Sequence, residues 1–134
     1  MQLKFISITV PDQQAALEIY TSKLGFTKMA DIPMGEYRWL TVTSPDGVDG
    51  AELVLEPLAF PPAATYQKAL FEAGIPATAF ITQDIAREVE RLRAAGVTVR
   101  GEPKAAGPIT FVMFEDGCGN LINLVQPHQQ NPET

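Results

Sequence analysis

The side chains able to do chemistry in this chain are carboxylates, one tryptophan and a few neutral polar groups. Glu52, Val54 and Glu56 lie in the run AELVLEP, whose alternation places all three on one face of a strand. Two carboxylates on one face attract a cation, and either Glu56 or Glu52 becomes a general base if burial raises its pKa. Tyr37, Trp39 and Thr41 likewise share one face of YRWLTV, where the aromatics offer a wall for a flat ligand or a cation. Ser7 follows Phe5 by two positions on the same strand face. With no histidine near to take its proton, Ser7 reads as a hydrogen-bonding group rather than a nucleophile. Cys118, the only cysteine, sits in the turn DGCGN without basic neighbours, so nothing activates its thiol. His128, the only histidine, lies in the polar stretch PHQQNPET.

These counts exclude whole classes of function. One cysteine allows no internal disulfide, no thiolate metal cluster and no Cys-x-x-Cys redox pair. The formal net charge of -6 repels phosphate, which argues against nucleic acid and anionic membranes as partners. The densest basic group, Arg87, Arg91 and Arg93, is interleaved with Glu88 and Glu90 and reads as a solvated helix face. No run approaches the roughly 20 apolar residues that span a bilayer. The opening MQLKFISITV alternates like a strand and lacks the apolar core of a secretory signal, so the expected location is cytoplasmic. A length of 134 residues suits one domain with its own core.

The elements that must position these groups follow from periodicity. Lys4 to Val10 alternates in β-branched residues and predicts a strand. Asp12 is placed to cap a helix carrying Leu17, Tyr20 and Leu24, and Gly25 stands at its end. Strands are expected around Phe26 to Ala30, Tyr37 to Thr43 and Glu52 to Glu56, with Met29 to Glu36 as a loop punctuated by Pro33 and Gly35. The same grammar returns: a strand from Thr78 to Thr82, a helix capped by Asp84 and ended by Gly96, then strands over Val97 to Arg100, Thr110 to Phe114 and Leu121 to Val125. The spacing of Asp12 to Gly25 nearly equals that of Asp84 to Gly96, which marks an internal structural duplication. The expected organisation is a β-α-β-β-β module over residues 1–56, a linker with a short helix over 57–76, a second module over 77–127 and a frayed tail over 128–134.

Two such modules resemble the vicinal oxygen chelate superfamily, which includes glyoxalase I, extradiol dioxygenases and bleomycin-resistance proteins. The resemblance rests on ITVPDQQAALEIYTSKLGF, on YRWLTV followed by AELVLEP, and on FEDGCGNLINLVQ, in that order over nearly the whole chain. It implies an α+β fold in which curled mixed sheets surround a cup-shaped cavity holding the ligand, often in a homodimer.

Metal-dependent members take ligands from the first and last strands of each module. The matching positions here are Phe5, Val54, Ala77 and Asn123, three of which cannot ligate while the fourth offers only a neutral amide oxygen. The expectation is therefore no metal and no cofactor. The family register turns Phe5, Ser7, Trp39, Glu52, Val54, Glu56 and Asn123 toward the cup as ligand-binding candidates, with Phe111 and Met113 adding to its wall. The leading reading is a metal-independent protein that sequesters an apolar or cationic small molecule. The alternatives are a metal-free enzyme using Glu56 or Glu52, an unfamiliar metal site, and a non-catalytic regulatory module.

Overall fold

The structure is a computed structural model that describes residues 1–47 and 49–128. Strand β1 (Phe5–Val10) sends Ile8 and Val10 into the core and leaves Phe5 and Ser7 on the opposite, open face. Helix α1 (Gln13–Ser22) follows, its first turn capped by Asp12, whose carboxylate accepts the Ala15 N–H at 3.1 Å. It buries Gln13, Ala16 and Tyr20. Gly25, at φ 83°, then turns the chain into β2 (Thr27–Met34), β3 (Tyr37–Thr43) and β4 (Glu52–Pro57). The sheet order is β1-β4-β3-β2, with β1 parallel to β4 and the other pairs antiparallel.

After α2 (Pro61–Ala73), the second module repeats the plan with β5 (Thr78–Ile81), α3 (Ile85–Ala94), β6 (Val99–Ala106), β7 (Ile109–Glu115) and β8 (Leu121–Pro127). Asp84 caps α3 by accepting the Arg87 N–H at 3.1 Å, and the sheet order is β5-β8-β7-β6. The two sheets are not closed into a barrel. Among the described residues no helix is long and apolar enough to cross a membrane.

Four boundaries differ from the sequence-based expectation. Met29 to Glu36 is not a loop: Asp31, Ile32, Pro33 and Met34 pair with Leu40, Trp39, Arg38 and Tyr37, and only Gly35 and Glu36 form the turn. Pro33 is tolerated because β2 is an edge strand, where a missing N–H need not break a ladder. Likewise β6 runs on to Ala106 through an irregularity between Arg100 and Lys104 that contains Gly101 and Pro103. The linker holds a full 13-residue helix, begun by Pro61 and Pro62 and ended by Gly74 in the left-handed conformation. His128, assigned to the tail, accepts a place beside β7: its N–H donates to the Pro108 carbonyl at 2.8 Å and its Nε2 lies 2.8 Å from the Thr110 hydroxyl. The rest of the expected tail, 129–134, lies outside the described residues.

One core serves both modules. Ile8, Val10, Tyr20, Leu40, Val42 and Leu55 from the first join Ile85, Val89, Leu92, Phe114 and Ile122 from the second in a single buried cluster. Each large apolar side chain buried there contributes about 1.5–3 kcal/mol. Aromatics bridge the halves, with Phe26 5.2 Å from Phe80 between ring centroids. The helix-covered faces of both sheets thus feed the core, while the opposite face of the first sheet stays open.

Polar contacts lock this arrangement. Tyr20 donates from its hydroxyl to the buried Asp116 carboxylate at 2.7 Å, across 96 positions of sequence. The other Asp116 oxygen accepts the Cys118 and Asn120 N–H groups at 2.7 and 3.1 Å. Burial, with Asp116 beside it, holds the Tyr20 phenol well above its ordinary pKa, so it remains a donor. Gln67 of α2 donates to the Thr9 carbonyl at 2.9 Å and to Asn120 Oδ1 at 3.1 Å, pinning the linker helix over the seam. Arg91 of α3 donates to the Lys23 and Leu24 carbonyls at the end of α1, at 2.9 and 3.2 Å.

Candidate functional site

The open face of the first sheet gathers most of the predicted site. In the β1–β4 register Phe5 stands beside Glu52, Ser7 beside Val54 and Thr9 beside Glu56. Across the sheet, Thr41 pairs with Val54. Ile32 pairs with Trp39 and Met34 with Tyr37, so all of these side chains project to one side. Asn123 belongs to β8 of the other sheet, opposite Met113 and Ala79, with Phe111 two pairs further along. The structure therefore unites six of the seven ligand-binding candidates and places the seventh in the second module.

Aromatic surface dominates this face. The Phe5 and Trp39 rings meet edge to face, 5.2 Å between centroids and 79° between planes. Phe5 remains 46% exposed and Tyr37 42%, and Ile32 and Met34 beside them are exposed as well. An isolated apolar side chain on a surface is unremarkable, whereas neighbouring exposed apolar side chains of this kind make the face a candidate contact surface.

The two carboxylates have different surroundings. Glu52 is nearly buried: its Oε1 accepts the Thr41 hydroxyl at 2.6 Å, and its Oε2 lies 3.7 Å from Lys4 Nζ. Thr41 is itself fully buried and accepts the Ala30 N–H at 3.1 Å, so Glu52 is held from below. Glu56, the alternative base, is exposed near the end of β4. Ser7 is exposed beside the buried Val54. Among the described residues the buried Asn123 Oδ1 has no hydrogen-bond partner, an acceptor that a bound N–H would satisfy.

The side chains do not fit the metal of the metal-dependent relatives. At the four matching positions stand a phenyl ring (Phe5), an isopropyl group (Val54), a methyl group (Ala77, one residue before β5) and the Asn123 amide. Among the described residues no three of His, Cys, Asp and Glu come together in a metal-holding group. Cys118 adds no nucleophile: burial, with Asp116 and Asp12 nearby, pushes its thiol up to about 12.

Sequence reasoning missed Gln13. Its Nε2 donates to the Arg38 carbonyl at 2.7 Å and to the Leu55 carbonyl at 2.9 Å, while its Oε1 accepts the Arg38 N–H at 3.0 Å. Strands β3 and β4 pair only at Thr41 with Val54 and Val42 with Leu53; beyond these the Gln13 amide stands in for the ladder. The equivalent strands of the second module, β7 and β8, pair continuously from Ile109 with Pro127 to Glu115 with Leu121. Counting from the capping aspartates, Ile85 takes the place of Gln13 there. The first sheet is splayed next to Trp39, and the second is zipped.

Two hollows among the described residues lie elsewhere. One of about 250 Å³ sits between α3 and β6, lined by Val89, Arg93 and Pro103 among others. Another of about 100 Å³ lies beside Ile19, Val97 and Gly117. The aromatic face, with Phe5, Tyr37, Ile32 and Met34 all exposed, is an open surface in one chain.

This duplicated fold, with its two open sheets and altered strand positions, defines a class. The chain belongs to the Glyoxalase/Bleomycin resistance protein/Dioxygenase superfamily, whose family model matches residues 2–124. It is 52% identical over 126 residues to the uncharacterized protein YurT of Bacillus subtilis (strain 168), covering 94% of this chain and 99% of YurT. Among solved structures it is similar to UcmS2, at 32% identity and a TM-score of 0.80, over 93% of this chain and 97% of that one. It is also similar to TnmS3, an antibiotic binding protein from Streptomyces sp. CB03234, at 30% identity and a TM-score of 0.75, over 95% and 96% of the two chains.

Proposed function

We propose that this protein binds and sequesters a small apolar or cationic aromatic molecule on the open face of its first sheet, without a metal. The observation that carries this reading is the Phe5–Trp39 pair, with Phe5 exposed and Trp39 half-buried, and the family resemblance sets Phe5 where metal-dependent members hold a ligand to their ion. A flat ligand stacks against such rings, and Ser7 and Glu52 supply the few polar groups that orient it. The likeness to TnmS3 supports binding as the function. Because the face is open in one chain, a second copy of the chain closes it into a cup, with the Asn123 amide as a further polar group for the ligand. The protein acts in the cytoplasm, where its ligand is captured rather than transformed.

Native mass spectrometry of the untagged protein tests this. A dimer that carries an organic adduct and no metal is the expected spectrum. A stoichiometric transition metal would return the protein to the metal-dependent enzymes of its superfamily.

A further inference from the structure

Glu52 is an acid held for a cation. Its carboxylate side chain is only 10% exposed, and one oxygen is fixed by the buried Thr41 hydroxyl at 2.6 Å. The other oxygen faces the Lys4 ammonium at 3.7 Å, an ion pair too long for a good hydrogen bond. Lys4 itself is 52% exposed, and its Nζ lies 5.5 Å from the centroid of the Phe5 ring. That ring in turn leans edge-on against Trp39. A positive charge therefore sits over an aromatic face and beside a fixed carboxylate, delivered by a side chain that is anchored only through its own flexible stem. The two partners are unequal. Glu52 and Phe5 are preorganised by the sheet, whereas Lys4 precedes the first residue of β1 and loses little by swinging into water.

We propose that Lys4 is a tethered stand-in for the ligand's cation: the Glu52–Phe5 corner is a subsite for an aromatic molecule bearing a nitrogen that is protonated at neutral pH, and binding displaces the Lys4 ammonium. This rests on the binding function proposed above and specifies its ligand class. A half-exposed ion pair is weak, because both groups keep much of their hydration. A ligand cation desolvated between Phe5 and Glu52 gains more from the same two partners, since the ring quadrupole and the carboxylate act together in a drier place. Lys4 keeps the nearly buried carboxylate compensated while the subsite is free of ligand. It also disfavours neutral aromatics, which cannot replace the charge they push aside. The subsite thus selects for charge as well as flatness.

The test uses two probes of nearly the same shape, 9-aminoacridine (a cation at neutral pH) and acridine (neutral there). Trp39 is the only tryptophan, so quenching of its fluorescence reports occupancy of the aromatic face, and calorimetry gives the affinity independently. The expected result is that 9-aminoacridine binds the native protein on the order of tenfold more tightly than acridine. Lys4→Met should tighten 9-aminoacridine by roughly threefold and leave acridine no weaker. Glu52→Gln, whose amide oxygen still accepts from Thr41, should remove the preference. Equal binding of both probes by the native protein, with Lys4→Met without effect, overturns the subsite and leaves sequestration of aromatics standing. A loss of 9-aminoacridine affinity in Lys4→Met also overturns it, by making Lys4 part of the attraction. No binding of either probe overturns the subsite and the aromatic-binding reading together. Lys4 is a surface residue, so Lys4→Met keeps the test independent of any folding defect in Glu52→Gln.

Discussion

Gln13 and Arg38 exchange two hydrogen bonds, side-chain amide against backbone amide, 25 positions apart. The Gln13 side chain does what a neighbouring strand would do. It lies at the point where β3 and β4 part, and its Nε2 also donates to the Leu55 carbonyl. The splay beside Trp39 is therefore satisfied rather than left as orphaned backbone.

Replacing Gln13 by Leu leaves three backbone groups without a partner in a nearly dry place. The expected cost is about 2–4 kcal/mol, taking roughly 1 kcal/mol or more for each group left unpaired. Urea denaturation at neutral pH measures it. Amide exchange at Arg38 should accelerate in the same variant; an unchanged Arg38 rate would mean that β3 and β4 close without the wedge.

The Tyr20–Asp116 bond joins the first helix to the last turn, and among the described residues no other side chain of the first module bonds to Asp116. Tyr20→Phe should destabilise the fold by about 1.5–3 kcal/mol, the range for a hydrogen bond to a charged group. Thermal unfolding of the variant checks this. A second, earlier transition would show that the modules uncouple instead of melting as one.

Alkaline stability follows from Cys118. Its thiol is raised from an ordinary 9.0 to about 12, chiefly by burial, so the native state holds that proton more tightly than the unfolded chain. Stability from this group is complete below the unfolded value of 9.0 and is lost as pH rises from there toward 12. The Tyr20 phenol, also raised, adds a loss of the same sign that begins above its ordinary 10.0. Melting temperature should fall as pH rises above 9.0, and Cys118→Ala should flatten the first part of that fall. Parallel curves for the two proteins would refute the assignment.

Arg91 caps α1 from the other module, where helix carbonyls lack partners and the dipole end is negative. Arg91→Met should cost about 1 kcal/mol, measured by denaturant midpoint. Arg91→Lys should recover only part of it, because one ammonium cannot reproduce a planar fork aimed at two carbonyls. Full recovery would reduce the interaction to charge alone.

The fold was legible because its signals are local and repeated. Alternation in Phe5–Val10, the paired caps Asp12 and Asp84, and the turn glycines each act within a few residues, and their recurrence implies the duplication. The shared face of Tyr37, Trp39 and Thr41 followed from strand period alone. The loop assigned to Met29–Glu36 failed because Pro33 and Gly35 carry turn chemistry, and only the tertiary position of β2 at a sheet edge makes the proline harmless. Gln13 was illegible for a different reason. A glutamine in the first turn of a helix normally meets water, and its value here depends on how far apart two later strands lie. The one available clue was that the second module puts an isoleucine, Ile85, at the same place.

The outer edges β2 and β6 each carry a register break and a proline: Lys28 to Ala30 with Pro33, and Arg100 to Lys104 with Pro103. Such strands make poor templates for a neighbour's backbone. Growth by adding strand to strand is disfavoured at these two of the four sheet edges, so a copy that meets the chain there does so through side chains. Contact of that kind ends once the sticky surfaces are used up. Along these two edges the expected outcome of crowding the protein is finite association rather than fibre growth.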